Sequence, residues 1–115
     1  MKPKDKGNFG EYLATVYLKN KGYQIIERNF HSKFGEIDII AKYRENIIFI
    51  EVRMRNKSDY YPEETIDRKK IKKIIKTAQV FLYKNGLNKA GVRFDVISIK
   101  DGNINHIENA FDIDF

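Results

Sequence analysis

The fold is decided by residues 35–55, GEIDIIAKYRENIIFIEVRMR, near the middle of the chain. This stretch predicts two strands, 35–42 and 46–55, and their short connection predicts a hairpin. Both faces of the second strand begin with apolar residues. These are Ile48 and Ile50 on one face, and Ile47 and Phe49 on the other. We therefore expect this strand to be central and covered on both sides.

Outside this hairpin, the sequence predicts two helices and three further strands. Apolar residues at helical spacing predict helices over 8–21 and 65–85, each followed by a glycine. The other strands are expected at 23–30, 91–99 and 104–107. The order αβββαββ implies a mixed α/β or α+β domain, a central mixed β-sheet flanked by helices. We expect one domain, 1–115, in which residues 1–6 form a mobile basic arm.

Charge favours a polyanionic partner. The formal net charge is +6, and every Lys and Arg lies at or before Lys100, whereas four acidic residues follow it. Lys and Arg near a phosphate release its bound counterions, so a domain this basic is a candidate for nucleic-acid binding. The alternative is that the charge serves solubility alone.

Several classes of function are excluded by composition. The chain has no cysteine, which rules out disulfides, thiol catalysis and cysteine-ligated zinc or iron–sulfur sites. The longest apolar run, residues 47–50, is far shorter than the roughly 20 residues that cross a bilayer. We expect a soluble, cytoplasmic protein that has no membrane partner.

Two acids stand out against apolar neighbours in the predicted hairpin. Asp38 lies among isoleucines, and alternation predicts that it faces the same side as Ile40. Glu51 follows four apolar residues, where the strand would leave the core. Across a hairpin the two carboxylates would face each other and repel unless a cation or a proton separates them. Mg²⁺ suits such a pair, although an exposed polar strand face and a Glu51–Arg53 surface pair are the plain alternatives.

Glu11 has two interpretations. With Asn8 it has the spacing of a capping box, in which Asn8 would cap the helix and Glu11 would reach back to it. It also follows the stripe of Ala14 and Leu18, which would turn it toward the sheet. The sequence leaves these two interpretations about equally supported.

The second predicted helix is strongly basic. Six positive charges stand against one negative charge, Asp67, over residues 66–76. They are Arg68, Lys69, Lys70, Lys72, Lys73 and Lys76. A solvated face explains such a run, but so many like charges favour a track for nucleic-acid phosphates.

The spacing of Asp38 and Glu51-Val52-Arg53 resembles the PD-(D/E)xK arrangement of the restriction-endonuclease-like nucleases. The whole chain resembles the YraN-like family of small bacterial proteins, which is similar to archaeal Holliday-junction resolvases. The matching segments are Gly7-x-x-Gly10-Glu11-x-x-Ala14, Arg28-Asn29-Phe30, Gly35-Glu36-Ile37-Asp38-Ile39-Ile40, Phe49-Ile50-Glu51-Val52, Arg93-Phe94-Asp95-Val96 and Ala110-Phe111.

This resemblance implies a metal-dependent nuclease fold. It implies that Asp38 and Glu51 are metal ligands and that Glu11 is a supporting acid. The hypothesis that follows is a DNA endonuclease, acting also on branched DNA. In it Asp38, Glu51 and the Val52 carbonyl hold Mg²⁺ or Mn²⁺, while Arg55 and the basic helix hold phosphates. Junction resolution needs paired cuts, so that role would imply a homodimer, for which Phe111, Ile113 and Phe115 are candidate contacts.

Arg53 departs from the pattern, because relatives usually carry lysine there. Arginine stays protonated, so it can orient water and neutralise phosphate charge but cannot accept a proton. This departure keeps a second hypothesis open, a nucleic-acid-binding module that has lost hydrolysis. A third hypothesis is a protein-interaction domain whose acidic tail docks on the basic helix of a neighbour.

Overall fold

The computed structural model describes residues 3–55 and 66–113 of the chain. The predicted polar loop 56–62 and Phe115 lie outside these residues. The elements are α1 (Pro3–Asn20), β1 (Gln24–Ser32), β2 (Gly35–Tyr43), β3 (Asn46–Arg55), α2 (Arg68–Lys84), β4 (Gly91–Lys100) and β5 (Asn103–Phe111). This order confirms the predicted mixed α+β fold, αβββαββ.

The strands form one five-stranded sheet in the order β1-β2-β3-β4-β5. Neighbouring strands are antiparallel except β3 and β4, which are parallel and joined through α2. Such a connection needs a crossover, and a helix that packs back onto the sheet supplies it. β3 is therefore the central strand, as its apolar residues predicted.

Two apolar clusters cover the two faces of the sheet. Ile47 and Phe49 of β3 pack with the buried face of α2, whereas Ile48 and Ile50 pack with Ala14 and other residues of α1. The buried face of α2 is Ile71, Ile74, Ile75, Ala78, Phe81 and Leu82. Successive side chains of β3 point to opposite faces of the sheet, and the apolar residues on each face pack against one helix.

The first helix begins earlier than predicted. It begins at Pro3 rather than Asn8, so residues 3–6 of the predicted arm are helical. Proline suits the first turn of a helix because its missing N–H would have no partner there. In the described part of the chain, neither helix has the length and apolar character needed to cross a membrane.

The other boundaries shift for local reasons. α2 begins at Arg68 because Asp67 caps it and accepts a hydrogen bond from the Lys69 N–H at 2.9 Å. β5 continues to Phe111, well beyond the predicted residue 107, through an irregularity opposite Asp95 where Asn109 has φ 53°. Phe111 stacks on Phe94 with ring centroids 4.9 Å apart, and so covers the core.

A buried ionic network joins β4 to β5. Asp95 is 1% exposed and accepts hydrogen bonds from Arg93 Nε and Nη2 at 2.8 Å and from the Asn109 N–H at 3.0 Å. Its Oδ2 also lies 2.7 Å from His106 Nε2. Arg93 Nη1 reaches Glu108 at 3.1 Å, so this acid of the tail is paired within the chain. Burial alone would raise the pKa of Asp95, but the hydrogen bonds from His106 and Arg93 outweigh it and lower that pKa.

We expect Asp95→Asn to lower the free energy of unfolding by about 3 kcal/mol, because it removes the buried charge that Arg93, His106 and the Asn109 N–H all contact. Urea unfolding near neutral pH measures the loss. Asp101→Asn is the matched control, since Asp101 is exposed in a turn with φ 52°, which asparagine tolerates. Equal losses in the two variants would contradict a special role for the network.

Candidate functional site

The two predicted acids lie opposite each other on neighbouring strands. The antiparallel register pairs Ile39 with Ile50, so the next position along places Asp38 of β2 opposite Glu51 of β3. Beyond the Ile39–Ile50 pair, Asp38 Oδ2 accepts a hydrogen bond from the Val52 N–H at 2.8 Å. The side chain of Asp38 thus bonds to β3 just past the last backbone pair between the strands.

The backbone is irregular where Asp38 is held. Asn29 of β1 has φ 55° and lies opposite Asp38, between the pairs Arg28–Ile39 and Phe30–Ile37. Ile37 and Ile40 both pack in the α2 cluster, although strict alternation would put them on opposite faces. The regular alternation predicted around Asp38 is therefore wrong at this point, and the left-handed backbone of Asn29 lies opposite it on β1.

The acid pair is electrostatically strained. Burial, and then the charge of Glu51, raise the pKa of Asp38 to about 7. The Val52 N–H and the charge of Lys70 act in the opposite direction and favour the carboxylate. Two like charges held this close call for a proton or a cation near them.

Lys70 of α2 supplies one such cation. Its Nζ lies 2.8 Å from Glu51 Oε1, and the Glu51 residue is 8% exposed, whereas the Lys70 side chain is 55% exposed. The sequence placed Lys70 only on the phosphate track and missed its contact with the acid pair. A topological signal was available, because a crossover between parallel strands must bring α2 back across the sheet.

Glu11 approaches the site from the other helix. Its position well inside α1 rules out the capping interpretation. Its Oε1 is buried and accepts no hydrogen bond from the described residues, and Arg28 Nη2 is 3.8 Å away. Burial, followed by the charge of Asp38, raises the pKa of Glu11. Within residues 3–55 and 66–113, no three acidic or histidine side chains are grouped so that they could share one ion.

Arg53 and Arg55 follow Glu51 at alternate positions on β3, and both are half-buried. Burial, and then the charge of Arg55, lower the pKa of Arg53. Arginine nevertheless stays protonated in proteins. The strand therefore offers fixed positive charge beside Glu51, but no proton acceptor at position 53.

The basic residues of α2 fall into two groups that have different surroundings. Lys70, Lys73 and Lys76, here called the lysine row, recur every three residues and so lie along one side of the helix. A Cβ at Gly35 would lie 3.4 Å from the Lys73 Cβ, and Lys76 Nζ lies 5.4 Å from the centre of the Phe34 ring. Positive charge thus runs from Glu51 to the turn between β1 and β2. Three other predicted phosphate contacts are exposed on α2: Arg68, Lys69 and Lys72.

Comparison with known proteins gives a consistent match over most of the chain. The model of the family described as "Uncharacterised protein family UPF0102" matches residues 10–99. A UPF0102 protein of Persephonella marina is 56% identical over 111 residues, which are 96% of each chain. A UPF0102 protein of Clostridioides difficile is 49% identical over 114 residues, covering 96% of this chain and all of its own.

The raised pKa of Asp38 predicts a pH dependence of stability. Its folded pKa exceeds its ordinary value of 3.8, so the folded protein binds more protons than the unfolded chain between about pH 4 and 7. The contribution of Asp38 to stability is thus greatest below this range and falls as pH rises through it. We expect Asp38→Asn to gain stability relative to the wild type at pH 8, but not at pH 4, in metal-free urea unfolding.

Glu45→Gln is the control for this experiment, because Glu45 is exposed in the turn after β2 and is not among the charges that raise the pKa of Asp38. We expect its stability difference from the wild type to change little with pH. A pH-independent difference for Asp38→Asn would contradict the strained acid pair.

Proposed function

The chain belongs to the uncharacterised protein family UPF0102, and we propose that it is a nucleic-acid-binding protein that cleaves DNA phosphodiester bonds as a metal-dependent endonuclease. The observation that carries this proposal is the pair of opposed, mutually repelling carboxylates, Asp38 and Glu51, at the start of a basic helix. A carboxylate pair beside a phosphate-binding surface is the arrangement that a hard cation and a phosphodiester require.

The residues present fit a divalent cation. Asp38 uses Oδ2 toward the Val52 N–H and Glu51 uses Oε1 toward Lys70, so the second oxygen of each carboxylate takes part in neither contact. Oxygen ligands of this kind suit Mg²⁺ or Mn²⁺, with the Val52 carbonyl as the third protein ligand. When bound, such an ion polarises the phosphoryl oxygen and lowers the pKa of its water.

The other charged groups would act on the phosphate and the attacking water. Lys70 and Arg53 place positive charge beside Glu51, where they would neutralise charge that develops on the phosphate in the transition state. Lys70 is the better candidate to contact the phosphate directly, because its side chain is more than half exposed. Glu11 would remain a supporting acid that acts on Asp38 through its charge.

DNA is the substrate that the sequence resemblance favours. The segment from Asp38 to Arg53 resembles the restriction-endonuclease-like nucleases, and the chain as a whole is similar to archaeal Holliday-junction resolvases. We therefore propose DNA rather than RNA, with branched DNA among the substrates. Paired cuts at a junction would need two copies of the chain, so junction resolution would require a homodimer.

A second candidate is a nucleic-acid-binding module without hydrolysis. Two observations favour it. Arg53 cannot accept a proton, and Lys70 gives Glu51 a positively charged partner from within the chain. Such a module would bind DNA in a salt-dependent way, since each phosphate contact releases counterions.

Cleavage is the direct test. With Mg²⁺ or Mn²⁺, we expect the wild type to cut supercoiled plasmid or a four-way junction. Asp38→Ala and Glu51→Gln should lose on the order of 100-fold of that rate, because ligands to the ion are removed. Glu45→Gln, in the exposed hairpin turn, is the matched control for Glu51→Gln and should keep the wild-type rate.

Equal cleavage by the wild type and Asp38→Ala would rule out this site. Salt-dependent DNA binding without cleavage under either ion would select the second candidate. The absence of binding even at low salt would exclude both.

Removing the charge of Lys70 should affect the cleavage rate, whereas removing the charge of a neighbouring lysine on α2 should not. We expect Lys70→Gln to lower the cleavage rate at saturating DNA by at least about 10-fold, because charge beside the acid pair is lost. Lys72→Gln removes one charge from the same helix and should leave that rate unchanged. If both variants weaken binding equally and leave the rate at saturation unchanged, Lys70 serves only as a phosphate contact.

A further inference from the structure

The far end of the lysine row opens into an aromatic groove of about 620 Å³. Phe34 of the β1–β2 turn forms one wall, and the outer face of α2 forms the other. The helix residues of this wall are Lys76, Gln79, Val80, Tyr83 and Lys84. We call this surface the Phe34–Tyr83 groove. Its volume is in the range of small-molecule and cofactor sites.

The two rings of the groove differ in exposure, since Phe34 is half-buried and Tyr83 is exposed, and two lysines flank Phe34. Tyr83 is 82% exposed. Lys33 Nζ lies 5.2 Å and Lys76 Nζ 5.4 Å from the centre of the Phe34 ring. Among the described residues that line the groove, none is acidic. Flat apolar rings beside ammonium groups provide a surface for a flat, uncharged base attached to phosphates.

The lysine row connects the groove to the proposed catalytic site. Lys73 stands between Lys70 at Glu51 and Lys76 at Phe34, so the lysine row joins the two places. From Lys70 to Tyr83 the helix rises about 20 Å at 1.5 Å per residue. At the duplex spacing of about 3.4 Å per nucleotide this length corresponds to roughly six nucleotides, and to fewer in a more extended single strand.

We propose that the Phe34–Tyr83 groove binds unpaired bases of a single-stranded nucleic-acid segment whose phosphates follow the lysine row. The proposal rests on the nucleic-acid function proposed above and adds the class of substrate, a nucleic acid with a single-stranded part. Phe34 and Tyr83 stack on the bases, which tolerates any base sequence. Lys76 and Lys84 contact the flanking phosphates.

Binding of three labelled ligands tests this proposal: a thymidine oligonucleotide of about twelve residues, an abasic oligonucleotide of the same length, and a blunt duplex. Fluorescence anisotropy with the whole chain, in the absence of divalent metal, gives each affinity. We expect Phe34→Ala/Tyr83→Ala to lose roughly 10-fold in affinity for the thymidine oligonucleotide and less than about twofold for the duplex. The wild type should bind the abasic oligonucleotide as weakly as the double variant binds the thymidine oligonucleotide.

Phe9→Ala/Tyr12→Ala is the matched control. It removes the same two ring types from exposed positions on α1, which packs on the opposite face of the sheet. We expect this control to bind all three ligands like the wild type. Tyr83→Ala alone keeps Phe34 in place and should lose part of the single-strand affinity. Tyr83→Phe should retain that affinity, because only the ring is needed.

Wild-type binding to the abasic and thymidine oligonucleotides with equal affinity would overturn the proposal, as would equal losses for single strand and duplex in the groove variant. Either result would leave the proposed nucleic-acid function intact. If the wild type binds none of the three ligands at low salt, the nucleic-acid function itself is wrong.

Discussion

The hydrogen bond from the Val52 N–H to Asp38 Oδ2 is the constraint on which the site depends. It holds a carboxylate beside β3, opposite Glu51, where burial and repulsion both favour the protonated acid. The sheet around it supplies the rigidity that this position needs, because β3 has a hydrogen-bonded neighbour on each side and a helix over each face. Functional sites are where proteins tolerate such electrostatic strain.

Helix α2 both packs against the sheet and carries the basic residues of the lysine row. Its isoleucines and Phe81 bury one side against the sheet, and a hydrogen bond of 2.8 Å between the Ser32 and Thr77 hydroxyls ties it to β1. Because α2 is held in this position, the lysine row lies along the edge of the buried face of the helix rather than on the side directly opposite it. The row therefore links the acid pair to the aromatic groove, and under the proposed function the order of its lysines along the helix would set the order of contacts on a bound strand.

Much of the fold could be predicted from the sequence, because it follows from local patterns. The two faces of β3, the hairpin before it and the apolar stripe of α2 are all periodic features, and periodicity reports burial directly. The pairing of Asp38 with Glu51 followed from the hairpin register. The left-handed backbone at Asn29 could not be predicted, because a hydrophobic pattern carries no information about the φ angle of an asparagine. The Lys70 contact was also missed, because it joins a helix to a strand at distant positions in the sequence and depends on how α2 docks.

The placement of Lys70 bears on the choice between hydrolysis and binding alone. A cation fixed in a strand beside Glu51, such as the half-buried Arg53, contributes the same charge whether or not substrate is present. Lys70 differs, because its largely exposed side chain has a flexible stem and can leave Glu51 when a divalent ion at the other oxygen weakens the attraction. Under the proposed function the same ammonium would then be available to the incoming phosphate, a few ångströms from the acids. The Lys70–Glu51 ion pair is therefore compatible with the proposed enzyme, because Lys70 would neutralise Glu51 until metal and phosphate take over that role.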